Sequence, residues 1–220
     1  MQKHIAILVV VCTATLVACG SKTDANEKNF KAALDQYYDK KGDLCSSLPS
    51  RLIVWDTKNS LWGFNDISRK MGDALEAAGL VEGEDIDSNV LYERDEKYRE
   101  SEDFFKAISP SYGGTVRKGK QYNLTNAAKP FVRESTVPEH VSLCWGNMAV
   151  DKVVKWQTNG NTATVTYTYK VKKAADWAKM PEVHVVFPGI KPFLDDVSKK
   201  ELRGSLTLTN LGWEVENPEL

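Results

Sequence analysis

Among side chains able to carry chemistry, histidine is the scarcest, with three in 220 residues. His4 stands near the N-terminus, His140 follows Pro138-Glu139, and His184 lies within Val183-His184-Val185-Val186. A hydrolytic zinc site needs grouped ligands such as His-x-x-x-His or His-Glu-x-x-His, and that spacing does not occur. Nor does the Gly-x-Ser-x-Gly elbow of a serine nucleophile, a phosphate-binding glycine loop or a dinucleotide fingerprint. Carboxylates pair at Asp195-Asp196 and at Asp85/Asp87. Paired carboxylates do acid–base work only when a fold sets them at the right separation, and adjacent acids on a turn are solvated instead. His184 reads as a strand residue, either at the surface or hydrogen-bonded. The expectation is no catalytic residue, no cofactor and no metal.

Two features remain as binding leads. Residues 82–103 hold ten acidic side chains against three basic ones. They read as a solvated loop or short helix, or else as an acidic face for a basic partner or divalent ion, although the Asp-x-Asp-x-Asp-Gly spacing of a calcium loop is missing. The six tryptophans are the stronger lead. Trp55, Trp62, Trp145, Trp177 and Trp213, with Phe64, fall near expected strand ends or loops. Trp62 and Trp145 each precede a glycine, in NSLWGFND and LCWGNM. They are either core plugs or a contact patch for a protein or glycan, and Trp62, Trp145 and Trp177 are the candidates.

The N-terminus sets the compartment. Lys3 and His4 precede an apolar run, Ile5 to Ala18, broken by Thr13 and Thr15. That run is too short to span a bilayer comfortably and ends in small residues, as a secretory signal does. Leu16-Val17-Ala18-Cys19 resembles the lipobox of bacterial lipoproteins. The resemblance covers the first two dozen residues and implies a diacylglycerol thioether on Cys19, cleavage before it and acylation of the new terminus. Two or three acyl chains, at about 0.8 kcal/mol per buried methylene, hold a protein stably on a membrane. Gly20 stands where Asp resembles an inner-membrane retention signal, which favours the outer membrane of a Gram-negative envelope. Residues 19–26 would form a tether of roughly 25 Å at about 3.5 Å per residue.

Of four cysteines, Cys12 leaves with the signal and Cys19 takes the lipid. Cys45 and Cys144 remain as one pair in an oxidising compartment, and a disulfide is predicted between them; two buried free thiols are the alternative. The bridge would close a loop of about 100 residues, worth up to roughly 4.7 kcal/mol in the chain-entropy picture.

These residues need a scaffold. Asn26 to Lys41 reads as a helix with Phe30, Leu34, Tyr37 and Tyr38 on one face, Asp24 and Glu27 forming a capping box, and Gly42 as its stop. Arg51 to Trp55 reads as a strand. A second helix, capped by Asn65 or Asp66, presents Ile67, Met71, Leu75 and Ala78 and stops at Gly79-Leu80. Lys118-Gly119-Lys120 reads as a hairpin tip, Gln121 to Leu124 as the returning strand, and Thr125 as the cap of a short helix limited by Pro130. Leu75, Ala78-Gly79-Leu80-Val81, Tyr122, Leu124 and Thr125 together resemble a winged-helix pattern, with Ala128 in place of the usual glycine and a long insert. The family often binds DNA. A secreted, near-neutral domain, net charge −1, has no counterion-release drive toward nucleic acid, so none is expected as a partner.

The C-terminal third reads as β. Val150, Lys152, Val154 and Trp156 alternate with Asp151, Val153, Lys155 and Gln157. An Asn159-Gly160 hairpin turn leads to a return strand with Ala163, Val165, Tyr167, Tyr169 and Val171 on one face and threonines on the other. Glu182–Phe187, Gly204–Thr209 and Leu211–Val215 read as further strands, with a turn or short helix at Phe193–Lys200. The whole reads as an α+β protein: signal 1–18, lipidated tether 19–26, a mainly helical, winged-helix-like region 27–137, and an antiparallel β-sheet region 138–220. The function expected is that of an envelope lipoprotein, membrane-held through Cys19, serving as a non-catalytic accessory protein to an envelope partner. A cell-wall hydrolase is the alternative.

Overall fold

The computed structural model describes residues 21–56, 64–108 and 116–218. It is a mixed α+β fold built on two antiparallel sheets. The larger has six strands: β1 (Asp43–Pro49), β6 (His140–Asn159), β7 (Thr162–Lys172), β8 (Glu201–Thr209) and β9 (Gly212–Pro218) in that spatial order, with β5 (Val132–Glu134) also paired to β6. The smaller has the order β2-β4-β3, from Leu52–Trp55, Lys118–Leu124 and Val81–Asp87. No helix among the described residues is long and apolar enough to cross a membrane.

Helix α1 (Glu27–Lys41) follows its predicted face. Phe30, Leu34 and Tyr38 are fully buried against Val165, Tyr167 and Tyr169 of β7. The Tyr38 and Tyr167 hydroxyls hydrogen-bond to each other at 2.5 Å, so the buried phenols partner one another. The cap differs from the expected box: Asn26 is the N-cap, and its side chain accepts from the Asn29 amide at 2.9 Å. Gly42 ends the helix as expected, its amide returning to the Tyr38 carbonyl.

β6 is the spine. Its 20 residues pair with β1 and β5 in the first part and with β7 in the second. Two register irregularities, between Val150 and Lys152 and between Val153 and Lys155, break the alternation expected there. Each inserted residue turns the side chains beyond it to the other face. Val150, Val153 and Trp156, opposite Tyr169, Tyr167 and Val165 of β7, therefore share the core face, Trp156 at its half-exposed edge, while Val154 sits at an inserted position and is exposed. On β7 the apolar face is the predicted one, but Thr166 and Thr168 on the other face are also buried, with the Thr168 hydroxyl donating to Asp151.

The small sheet packs under α2 (Phe64–Ala77), with Leu75 at its centre and Ile67, expected inside, exposed. Asn65 and Asp66 lie within its first turn rather than capping it. A side chain on Gly72 would collide with the ring of Tyr122, so glycine is what lets α2 settle on β4. Gly79 takes a positive φ of 72° at the end of the helix, as the Gly-Leu stop requires. Lys118-Gly119-Lys120 is not a hairpin tip: it lies in β4, paired with β2 on one side and β3 on the other. Thr125 caps no α-helix; its hydroxyl donates to the Gly79 carbonyl at 2.7 Å and its amide to the Leu80 carbonyl.

Of the loop or short helix expected for the acidic stretch, the structure has helix. The stretch runs from β3 through α3 (Ser88–Arg94) into α4 (Glu96–Ile108). Glu182–Phe187 is not a strand. Pro181 opens a short helix α5 (Pro181–Val186), and α6 (Ile190–Asp195) comes next. Pro fits the first helical turn, where its missing amide hydrogen has no partner to lose. α5 packs against α2, and Val183 and Phe187 join one core with Leu75, Leu143, Trp145 and Trp177. The second core lies between α1 and the β7–β9 face.

Candidate functional site

The sequence candidates disperse in the fold. Cys19 and Trp62 lie outside the described residues. Cys45 and Cys144 form the predicted disulfide, S–S 2.04 Å, directly opposite one another on β1 and β6. It ties two neighbouring strands of the large sheet. Trp145 and Trp177, candidates for a contact patch, are 5% and 6% exposed. Trp145 meets Phe193 and Trp177 meets Phe131 edge-on, so both are core residues.

The carboxylates of 82–103 are largely occupied within the fold. Asp87 accepts from the amides of Asn89 and Val90 at the start of α3, and Asp95 accepts from Tyr98 at the start of α4. Acceptors placed there satisfy amides that the first helical turn leaves free. Asp95 also pairs with Arg51, Glu102 with Arg117, and Glu84 with Arg94. Asp103 accepts from the Tyr92 hydroxyl. Of the other carboxylate pair, Asp195 is bridged to Lys191, whose ammonium holds its carboxyl below the usual range. No three His, Cys, Asp or Glu side chains among the described residues group as metal ligands.

The two histidines end in backbone contacts. His184, on α5 rather than a strand, meets the Ala178 carbonyl at 2.8 Å. His140 opens β6 in a cleft of about 370 Å³ with Ser50, Arg51, Lys97, Tyr98, Ser101 and Glu139. Its Nδ1 lies 2.9 Å from the Pro138 carbonyl, which only accepts, so Nδ1 carries the hydrogen. The Ser50 hydroxyl donates to the Glu139 carbonyl at 2.9 Å, and the Glu139 carboxylate pairs with Lys97, which holds it below the usual carboxylate range. Glu139 has φ 59°, a strained value for a residue with a side chain. The Ser50 amide and hydroxyl both hold its carbonyl, and Lys97 holds its side chain. The cleft is thus a joint: the β1–β2 turn, the β5–β6 turn and α4 meet there, where the two sheets connect.

At the other end of β6 the incoming chain is docked. The Asn29 side chain donates to the carbonyls of Ser21 (2.7 Å) and Asp24 (2.9 Å), and Trp213 Nε1 donates to the Asp24 carbonyl at 3.2 Å. A side chain on Gly212, φ 118°, would stand 3.2 Å from the Lys22 carbonyl. Phe30 packs between Trp213 (4.9 Å) and Trp156 (5.6 Å). Sequence reasoning places residues 19–26 as a free tether and misses this dock. Its one signal is an apolar residue, Leu211, inside an Asn-Leu-Gly turn, where a polar residue is usual.

No family model, curated protein or solved structure matches this chain.

Proposed function

We propose that the protein is a bacterial envelope lipoprotein, acylated on Cys19 and held on the outer membrane where the envelope has one. In this reading it is a non-catalytic accessory protein that presents its small-sheet unit to an envelope protein partner. The observation that carries the reading is the position of the dock. Residues 21–24 are fastened at the β8–β9 end of the large sheet, while the small sheet packs against Leu143 and Trp145, toward the start of β6. At about 3.3 Å per residue, β6 separates those ends by up to about 60 Å. An anchor at one end leaves the other free to meet a partner across the envelope.

The small unit is winged-helix-like in this proposal. The order β2-β4-β3, the helix entering β3 through Gly79-Leu80, and Thr125 fastened to that turn support it. The helices α3 and α4 occupy the place of a wing between β3 and β4. A fold of that kind does not carry its usual ligand with it.

A hydrolase acting on wall glycan or peptide is the second reading, and the His140 cleft favours it, since it gathers an imidazole, two serines and the Glu139 carboxylate. In-cell cross-linking of the anchored protein followed by mass spectrometry, with Cys19→Ser as control, separates the two. A dominant partner joined through residues 81–124 and lost with the anchor is the expected result. Absence of any reproducible partner, with turnover of wall fragments that His140→Ala abolishes, would replace the accessory reading.

A further inference from the structure

We propose that the paired hairpin tips at the docked end of the large sheet seat directly in the membrane interface, with Leu211 as the inserting side chain. This rests on the reading that Cys19 carries the lipid. Lys22 is packed on Gly212 and stands three positions after Cys19, a span of at most about 10 Å at roughly 3.5 Å per residue. The acylated residue therefore stands within that reach of the β8–β9 tip.

The tip is built for such contact. Leu211, next to Gly212, is 73% exposed. A lone exposed leucine is ordinary on a protein surface. This one stands at the apex of the hairpin to which the lipid-bearing segment is fastened. The Leu211 amide and the Gly212 carbonyl are both held by the Thr209 hydroxyl, which fixes the turn. The neighbouring β6–β7 tip is joined to it, the Leu208 amide donating to the Asn161 carbonyl at 2.7 Å.

Residues 158–162 and 207–212 contain no charged side chain, and the Glu214 and Glu216 carboxylates on the Thr209 and Thr207 hydroxyls limit the seating to the apex, where Asn210 and Leu211 strip no ion of water. Above the tips, Trp156 is 42% exposed on the side of Phe30. An indole with an apolar body and a polar N–H suits the headgroup level. The bilayer contact is then two-part: acyl chains for attachment, and Leu211 with Trp156 to fix the angle at which β6 stands. A tether alone would let the body tumble. A seated tip holds the small sheet outward.

The test uses the full chain, expressed with its signal and purified from membranes into vesicles of phosphatidylethanolamine and phosphatidylglycerol. A nitroxide is placed at Leu211→Cys or at Val137→Cys, an exposed site near the start of β6. Both are surface positions at which folding should survive. Collision with a water-soluble nickel chelate and with oxygen dissolved in the bilayer is compared between the two sites, and the mass of the N-terminal peptide is read in parallel. Expected are acyl mass on Cys19, loss of nickel contact and gain of oxygen contact at 211, and the reverse at 137. Acyl mass with equal nickel contact at both sites would overturn the seating and leave the anchor standing. An N-terminal peptide without acyl mass would overturn the anchor, and the seating with it.

Discussion

Inside the six-stranded sheet the contacts are apolar and aromatic; in the three-stranded sheet, ionic side chains reach in among the apolar ones. Tyr38, Tyr167, Leu34, Val165 and Leu206 are all at most 1% exposed, and the phenol pair is the main polar feature of that core. Beneath α2, Lys120 crosses to Glu76 at 2.7 Å, the Tyr122 hydroxyl donates to Asp73 at 2.8 Å, and Arg117 and Arg51 bind carboxylates of α4 and its cap. Apolar burial is insensitive to salt and mild acid, whereas exposed ion pairs yield to both. The difference teaches that the two regions should fail under different conditions, with the base outlasting the unit it carries.

The largest expected effect is on the base. Tyr167→Ala removes a fully buried ring and strands the Tyr38 hydroxyl, at a cost of about 3–5 kcal/mol by analogy with other aromatic-to-alanine changes in cores. Urea unfolding should show the loss in the midpoint. A change below about 1 kcal/mol would mean that α1 is not held by this core. Next comes the disulfide. Replacing Cys45 and Cys144 together by alanine should cost about 2–4 kcal/mol. It should also loosen β1, and hydrogen exchange should then rise in β1 and β2 while β7 and β8 stay protected.

In the small unit, Gly72→Ala forces α2 off the Tyr122 ring, at about 1–3 kcal/mol of overpacking. Exchange should rise in β3 and β4 and not in β7; a uniform rise would show that the regions unfold as one. Asn26→Ala should cost about 1 kcal/mol, read as fraying at the start of α1.

The smallest effects are those of pH: acid separates the two regions and alkali does not. Hydrogen bonding to Lys120 and to the Gly83 amide lowers the Glu76 pKa. Its contribution is therefore present above the ordinary carboxylate pKa and lost as pH falls through the depressed value. Acid should loosen β3–β4 before the large sheet, and about 0.5 M salt, enough to screen exposed pairs, should mimic part of that. On the alkaline side, burial pushes Tyr169 up to about 12 and raises Tyr38 and Tyr122 further. Their contribution is complete below the ordinary phenol pKa of about 10 and lost as pH rises toward the folded values. Because Tyr122 sits in the small sheet and the others pack in the large-sheet core, alkali should unfold both together. Absorbance of ionised phenol and backbone circular dichroism should then move in step.

What could be read from the sequence was what depends on near neighbours. The face of α1 follows from residues three and four apart, the clean side of β7 from period two, and the turns at Gly79 and Gly160 from a positive φ that glycine tolerates. The Cys45–Cys144 bridge came from elimination. Elsewhere the local signal admitted two answers. Val183-His184-Val185-Val186 has no period to tell a buried strand from a helix, and packing against α2 chose the helix.

Lys118-Gly119-Lys120 has turn composition, yet partners on both sides make it a central strand, with Glu76 meeting Lys120 from α2. The carboxylates of 82–103 looked like a solvated face because their arginine partners, Arg51 and Arg117, are distant in sequence. Sequence by itself determined the helix and the long hairpin, since each is written in adjacent residues. Tertiary structure alone decided the bulges of β6, the burial of Trp145 and Trp177, and the fastening of residues 21–24 beside Leu211. Those depend on which surfaces meet, and free energies summed over many distant contacts are not local to any stretch of chain.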